Sequence, residues 1–321
     1  MNGLKIIFMG TAELSCTSLE KLAHDSQFQI TAVVTQPDKP QGRELKLQPP
    51  PVKILAQKLN LPILQPAKAR DEHFVSELRA AKPDLIVVAA YGHLLPPAIL
   101  DLPRFGCLNV HTSLLPKYRG AAPIQWAIAN GETETGVTIM KMDAGMDTGA
   151  ILTQKRTPIL PQDDSASLHN RLAQLGAELL LDTIPGYVAG KILPQSQPEN
   201  ASYAPKIKRE DGQIDWNQPA QTILNRLRAF TPWPGAFTFL KTEPRPCLLK
   251  IWKAEVIEKS GGAGEILFAD ENGIIVACGK NALRILELQR EGGRRITARD
   301  FLGGCPLKSG EKFQATARSH P

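Results

Sequence analysis

Four apolar runs in the first 111 residues alternate with stretches of helical spacing: KIIFMG (5 to 10), QITAVVT (29 to 35), DLIVVAAYG (84 to 92) and CLNVH (107 to 111). Their apolarity is nearly continuous rather than alternating, the mark of a strand covered on both faces. Between them Leu19, Leu22 and Ala23 space out one helix face, and Val52, Leu55 and Leu59 another. This alternation predicts an α/β layer, a Rossmann-like parallel sheet with helices on either side. In such sheets ligands sit beyond the carboxyl ends of the strands. Asn109 and His111, both polar, end the fourth run.

The common nucleotide signatures are missing at those ends. After the first run the chain reads GTAELS, neither G-x-G-x-x-G nor a phosphate loop closing on Gly-Lys-Ser/Thr. The likeness to dinucleotide-binding sheets is therefore one of topology. Further on, TGVTIMKMD (135 to 143) reads as a strand, and AGMDTGAIL (144 to 152) as a tight loop leading into another. Asp147 lies in that loop between Gly145 and Gly149. Leu168, Leu172, Leu175 and Leu179 then give a long helix one apolar stripe, which core packing explains.

From 191 to 208 the composition shifts to Pro, Gln, Ser, Asn and Lys, the character of a linker. It divides the chain into domains at 1–190 and 209–321. Beyond it, NQPAQTILNRLRAF has the pattern of a basic amphipathic helix, and AFTFL, CLLKIWKAEVI, GEILFAD, GIIVACG and ALRILELQ read as short strands parted by Gly and Asn turns. Five such strands fit a small C-terminal β-barrel of the OB type.

Charge separates the two parts. Residues 1–205 hold 19 basic and 19 acidic side chains, whereas 206–321 hold 19 and 13, so the whole excess of +6 lies in the C-terminal part. An anionic partner such as nucleic acid is one reading of that excess and a solvated basic face is the other. The five cysteines are scattered without a C-x-x-C pair, which points to reduced thiols rather than disulfides or a zinc site. No run approaches the length of a membrane span, and the N-terminus shows neither a basic n-region nor a cleavage site, so the expectation is a cytoplasmic protein.

Asn109, His111 and Asp147 together suit acyl transfer to an amine. The amide can donate to a carbonyl oxygen as it gains charge, the imidazole can handle a proton, and the carboxylate can orient the imidazole. The same residues would equally serve as a turn cap, a satisfied buried histidine and a loop carboxylate. Spacing alone does not choose between these readings.

The stretch LNVHTSLLPKYRGAAPIQWAIANGETETGVTIMKMDAGMDTGAIL (108 to 152) resembles the signature region of the folate-dependent formyltransferases. TQPDKPQGRELKLQPPPVKILA (35 to 56) is similar to a loop inserted in the tRNA-acting member of that family. AYGHLLP (90 to 96) resembles its folate-side segment, and IDWNQPAQTILNRLRAFTPWPGAF (214 to 237) the entry to its C-terminal domain. The resemblance implies transfer of a formyl group from 10-formyltetrahydrofolate to the α-amino group of charged initiator methionyl-tRNA, with no metal and no nucleotide cofactor. It implies that Asn109, His111 and Asp147 form the catalytic trio, and that Ser113, Leu114, Leu115 and Pro116 contact the folate. In the inserted loop it points to Lys39, Arg43 and Lys46 for tRNA.

Some positions depart from the family pattern. Gly10-Thr11-Ala12 and Leu14 stand where Gly-Thr-Pro and a phenylalanine are usual, Thr112 follows the histidine, and Glu44 and Leu45 replace a small and a basic residue. A formyltransferase acting on a small amine, such as an amino sugar nucleotide, would keep the trio but lack both the inserted loop and the basic barrel. A non-catalytic RNA-binding module would have no use for the trio.

Overall fold

The computed structural model describes residues 3–41, 46–242 and 246–314. The chain forms two compact units. The first comprises the chain through Pro123, Glu134–Pro158 and Leu168–Pro205; the second takes Ile124–Thr133, Ile159–Ser167 and the chain from Lys206 onward. Two segments that precede residue 168 in the sequence thus belong to the second unit.

Through residue 205 the elements run in chain order as β1 (Leu4–Gly10), α1 (Leu14–His24), β2 (Phe28–Val34), β3 (Lys39–Gln41), β4 (Lys46–Gln48), α2 (Pro51–Lys58), β5 (Ile63–Leu64), α3 (Glu72–Ala80) and β6 (Leu85–Ala89). They continue as α4 (Pro97–Leu100), β7 (Cys107–His111), β8 (Arg119–Gly120), α5 (Pro123–Ala129), β9 (Glu134–Lys141), β10 (Ala150–Pro158), α6 (Ser165–Val188) and β11 (Tyr203–Ala204). Seven strands make the main sheet in the order β10-β9-β7-β6-β1-β2-β5. The neighbours from β7 to β5 pair in parallel, while β9 runs antiparallel to β7 and β10 antiparallel to β9.

The continuous apolar runs find their explanation here. Every residue of β6 and of β7 is buried, and each fully buried Leu, Ile or Val contributes about 1.5–3 kcal/mol. Local signals set the helix starts: Asp71 caps α3 by accepting from the Phe74 amide at 3.0 Å, and Pro51 opens α2 at a position where no amide hydrogen is needed. Along α6, Leu168 and Leu172 are fully buried and Leu179 nearly so, while Leu175 of the same predicted stripe is only half-buried. The chain moves outward from β1 through β2 to β5, then crosses back to β6 and β7. That reversal opens a crevice at the carboxyl ends of β1 and β6, next to the end of β7.

In the second unit, α7 (Ala220–Ala229) precedes β12 (Ala236–Leu240), β13 (Cys247–Ile257), β14 (Ile266–Asp270), β15 (Gly273–Ala277), β16 (Ala282–Arg290), β17 (Ile296–Thr297), α8 (Ala298–Gly304) and β18 (Phe313–Gln314). The strands pair antiparallel in the order β14-β15-β16-β13-β12-β18, with β17 on β16. The sheet curls until its edges meet. The Phe313 amide donates to the Gly264 carbonyl at 2.9 Å and the Ile266 amide to Glu311 at 2.8 Å, around a bridge between Glu265 and Lys312. The result is a curled antiparallel half-barrel, in keeping with the small OB-type barrel read from the strand pattern, with two short strands the pattern did not reveal. Trp216 stacks on Phe313 in its core at 5.9 Å and donates to Thr238 Oγ1 at 3.0 Å.

The basic helix expected over 217–230 is α7, but its arginines do not form a free charged face. Arg226 donates to the Asp211 carbonyl at 2.8 Å and lies over the Phe230 ring at 5.1 Å. Arg228 donates to the carbonyls of Leu160 and Pro161 and to Asn225 Oδ1. Of the five free cysteines, Cys107 and Cys278 are buried and the others partly so. No helix among the described residues is long and apolar enough to cross a membrane.

Candidate active site

β7 carries Asn109 and His111 two residues apart, hence on one face of the strand. Both are buried, Asn109 at 9% and His111 at 6% relative exposure. Strand pairing fixes them from both sides: Asn109 lies opposite Val88 of β6 and Met140 of β9, and His111 opposite Thr138. His111 Nε2 is 3.0 Å from the main-chain carbonyl oxygen of Tyr118. A carbonyl only accepts, so Nε2 carries the proton. In the neutral ring Nδ1 is then the nitrogen able to take one, and it faces Asp147 Oδ2 at 3.8 Å. Among the described residues nothing hydrogen-bonds to the Asn109 side-chain amide.

Asp147 comes from the distant loop between β9 and β10, and the structure brings it to His111 as the sequence pattern anticipated. Its backbone is left-handed, with φ 53°. Asp147 Oδ2 accepts from the Gly120 amide at 2.7 Å. Gly120 itself has φ 120°, and a Cβ there would lie 2.7 Å from the Ala204 carbonyl oxygen, so only glycine presents that amide. The Gln197 side chain donates to the carbonyls of Asp147 and Gly149 at 2.9 and 2.7 Å.

The stretch from Ser113 to Pro116 leaves β7 as a braced turn. Ser113 is fully buried and its Oγ donates to the Lys117 carbonyl at 2.6 Å; Leu115 is buried, Leu114 and Pro116 are partly exposed, and the Leu115–Pro116 peptide is cis. Thr138 Oγ1 organises it, donating to the Ser113 carbonyl at 2.7 Å while accepting from the Leu115 amide at 3.1 Å and from Gln154 Nε2 at 2.9 Å. The far side of the turn is tied to 202–204. Tyr118 donates its amide to Ser202 Oγ, Arg119 to the Ser202 carbonyl, and β8 pairs in parallel with β11. The stretch that composition marked as a linker is thus part of the site's framework.

At the neighbouring crevice, Thr11 Oγ1 and Gln36 Nε2 both donate to the Tyr91 carbonyl, at 3.0 and 2.8 Å. Leu14 is buried in α1. The inserted loop is a hairpin of β3 and β4 in which Lys39 and Lys46 are exposed and lie diagonally on one face. Lys39 Nζ donates to Gln36 Oε1 at 2.5 Å. Arg43 lies outside the described residues. No group of three or more His, Cys, Asp or Glu side chains placed to hold a metal occurs among the described residues.

Tyr118, Gly120, Thr138 and Gln197 were not among the residues singled out in the sequence. All four act through main-chain groups or by bracing main chain, which leaves little residue-type signature. KYRGAAP, the segment holding Tyr118 and Gly120, offered the only local hint, a glycine beside a basic residue close after the histidine.

A formyl transferase family model matches residues 4–184, and a model of the formyl transferase C-terminal domain matches 206–306. The chain is 50% identical over 311 residues to methionyl-tRNA formyltransferase of Citrifermentans bemidjiense, covering 97% of this chain and 96% of that one. It is 47% identical over 321 residues to the protein of the same name from Nitrosomonas eutropha, covering 99% and 100%. Among solved structures, an N-formyltransferase from Helicobacter canadensis has the same fold, with a TM-score of 0.63 at 20% identity over 88% of this chain and 99% of that one. Matched by family models along both units and by relatives of its own length, the chain belongs to the formyl transferase family.

Proposed function

We propose that the chain transfers the formyl group of 10-formyltetrahydrofolate to the α-amino group of charged initiator methionyl-tRNA, acting in the cytoplasm at translation initiation. The observation that carries this reading is the identity of about half, end to end, with proteins named methionyl-tRNA formyltransferase. Relatives at 20% identity speak for the fold alone.

The donor, when bound, supplies an activated formyl carbon. The residues at the end of β7 fit such a group, because the amide of buried Asn109, which meets no hydrogen-bond partner among the described residues, lies on the same strand face as an imidazole whose Nδ1 is open to a proton. Asn109 donates to the formyl oxygen as it gains charge, an interaction strengthened by exclusion of water. His111 Nδ1 takes the proton from the attacking amine and returns it to the departing nitrogen, so that one N–C bond forms and one breaks with no net change in protons. Asp147 stabilises the charged ring by its negative charge beside Nδ1. Ser113, Leu114, Leu115 and Pro116 line the folate side as a turn braced from both flanks. Lys39, Arg43 and Lys46 supply phosphate contacts from the inserted hairpin.

The test is a formylation assay with 10-formyltetrahydrofolate and, in turn, charged initiator tRNA, uncharged tRNA and small amines such as an amino sugar nucleotide. Formylation of the charged tRNA alone supports the reading; preference for a small amine overturns it.

A further inference from the structure

We propose that Gln197 is a positioning residue for Asp147, so that a side chain some fifty positions downstream holds the carboxylate of the active site in place; the inference rests on the role given to Asp147 above. Gln197 Nε2 donates to the carbonyl oxygens of both Asp147 and Gly149, at 2.9 and 2.7 Å, and so spans the turn that points the carboxylate. Its Oε1 accepts from Arg119 Nε and Nη2 at 3.0 and 2.7 Å. Carbonyls only accept and a guanidinium only donates, so the amide has a single orientation here.

The arrangement closes a ring. Arg119 directly precedes Gly120, whose amide donates to Asp147 Oδ2 at 2.7 Å, and Gln197 joins Arg119 back to the main chain of Asp147. The carboxylate is held at its oxygen by Gly120 and at its backbone by Gln197. Asp147 sits at φ 53°, a conformation that L residues adopt rarely and keep where their surroundings impose it. Without the glutamine the turn is free to relax, and the carboxylate moves relative to His111 Nδ1, now 3.8 Å away. Glutamine is suited to this because it donates at one end and accepts at the other; glutamate keeps the tie to Arg119 but loses the donor to the turn.

A mutant cycle in the full-length protein tests this, with formylation of charged initiator tRNA as the assay. Gln197→Leu and Gln197→Glu are expected to lower kcat about 10- to 100-fold, with KM for tRNA and for the folate donor within about twofold of the parent, since small displacements of a positioned group cost rate rather than binding. In an Asp147→Asn background, itself strongly impaired, Gln197→Leu is expected to cost less than about threefold, because the group it positions is already gone. A merely structural tie would cost the same factor in both backgrounds, and that result overturns the proposal. So does near-normal kcat in Gln197→Leu or Gln197→Glu when Asp147→Asn is impaired. Full activity in Asp147→Asn would instead overturn the reading of Asp147 on which the inference stands.

Discussion

His111 gives its Nε2 proton to the main-chain carbonyl of Tyr118, 3.0 Å away and seven residues further along. The contact selects one tautomer of the ring and leaves Nδ1 as the nitrogen that exchanges protons, on the side of Asp147. A residue chosen by sequence pattern is thus oriented by one whose side chain has no part in the contact.

Replacing the imidazole should abolish proton handling while leaving the fold. His111→Ala is expected to lower kcat by roughly 10²- to 10⁴-fold, with the far-ultraviolet circular dichroism of the parent. A folded variant with near-normal kcat would remove His111 from the chemistry.

Thr138 is fully buried on β9, and its hydroxyl serves the Ser113 carbonyl, the Leu115 amide and the Gln154 amide together. Thr138→Val keeps the shape but strands those groups, at a cost of about 1–3 kcal/mol for a buried unsatisfied donor. Thermal unfolding should show the loss, and KM for the folate donor should rise several-fold as the 113–116 turn loosens. An unchanged melting temperature would argue against this hub.

Phosphate contact by the inserted hairpin predicts a salt signature. Arg43→Ala should raise KM for charged tRNA and reduce the slope of log affinity against log salt by about one counterion's worth. Rates measured at several salt concentrations decide it, and an unaltered slope would count against the contact.

Burial, with a smaller contribution from the Asp101 charge, pushes the Cys107 thiol up to about 12. A raised value stabilises the fold fully below the ordinary thiol range and loses that contribution as pH climbs toward the folded value. Each pH unit above the unfolded thiol pKa should remove about 1.4 kcal/mol. Cys107→Ala, lacking the thiol, should show a flatter alkaline decline in denaturant titrations between pH 8 and pH 10. Parallel declines would mean that Cys107 is not the group titrating.

Asn109 and His111 were legible because two polar residues at the end of an otherwise buried run demand an explanation, and Asp147 because glycines flank it. Both sheet architectures were legible for the same kind of reason: β1, β6 and β7 are continuously apolar, whereas the later strands are short and divided by turns. What stayed hidden works through main chain or at long range. The Tyr118 carbonyl belongs to every residue type alike, the Gly120 amide shows in the sequence only as one more glycine, and Gln197 lies in a stretch whose composition signals only a connection. The arginines of α7 show the opposite failure, since Arg226 and Arg228 read as a charged face but are committed to carbonyls within their own unit.

The two-residue pairing of β8 with β11 sets the order in which this protein becomes competent as it is synthesised. His111 and Asp147 emerge early, but the turn that orients the first is secured by Ser202 and Ala204, and the loop that carries the second by Gln197. A nascent chain halted at the end of α6 holds every proposed catalytic side chain and lacks the frame that aims them.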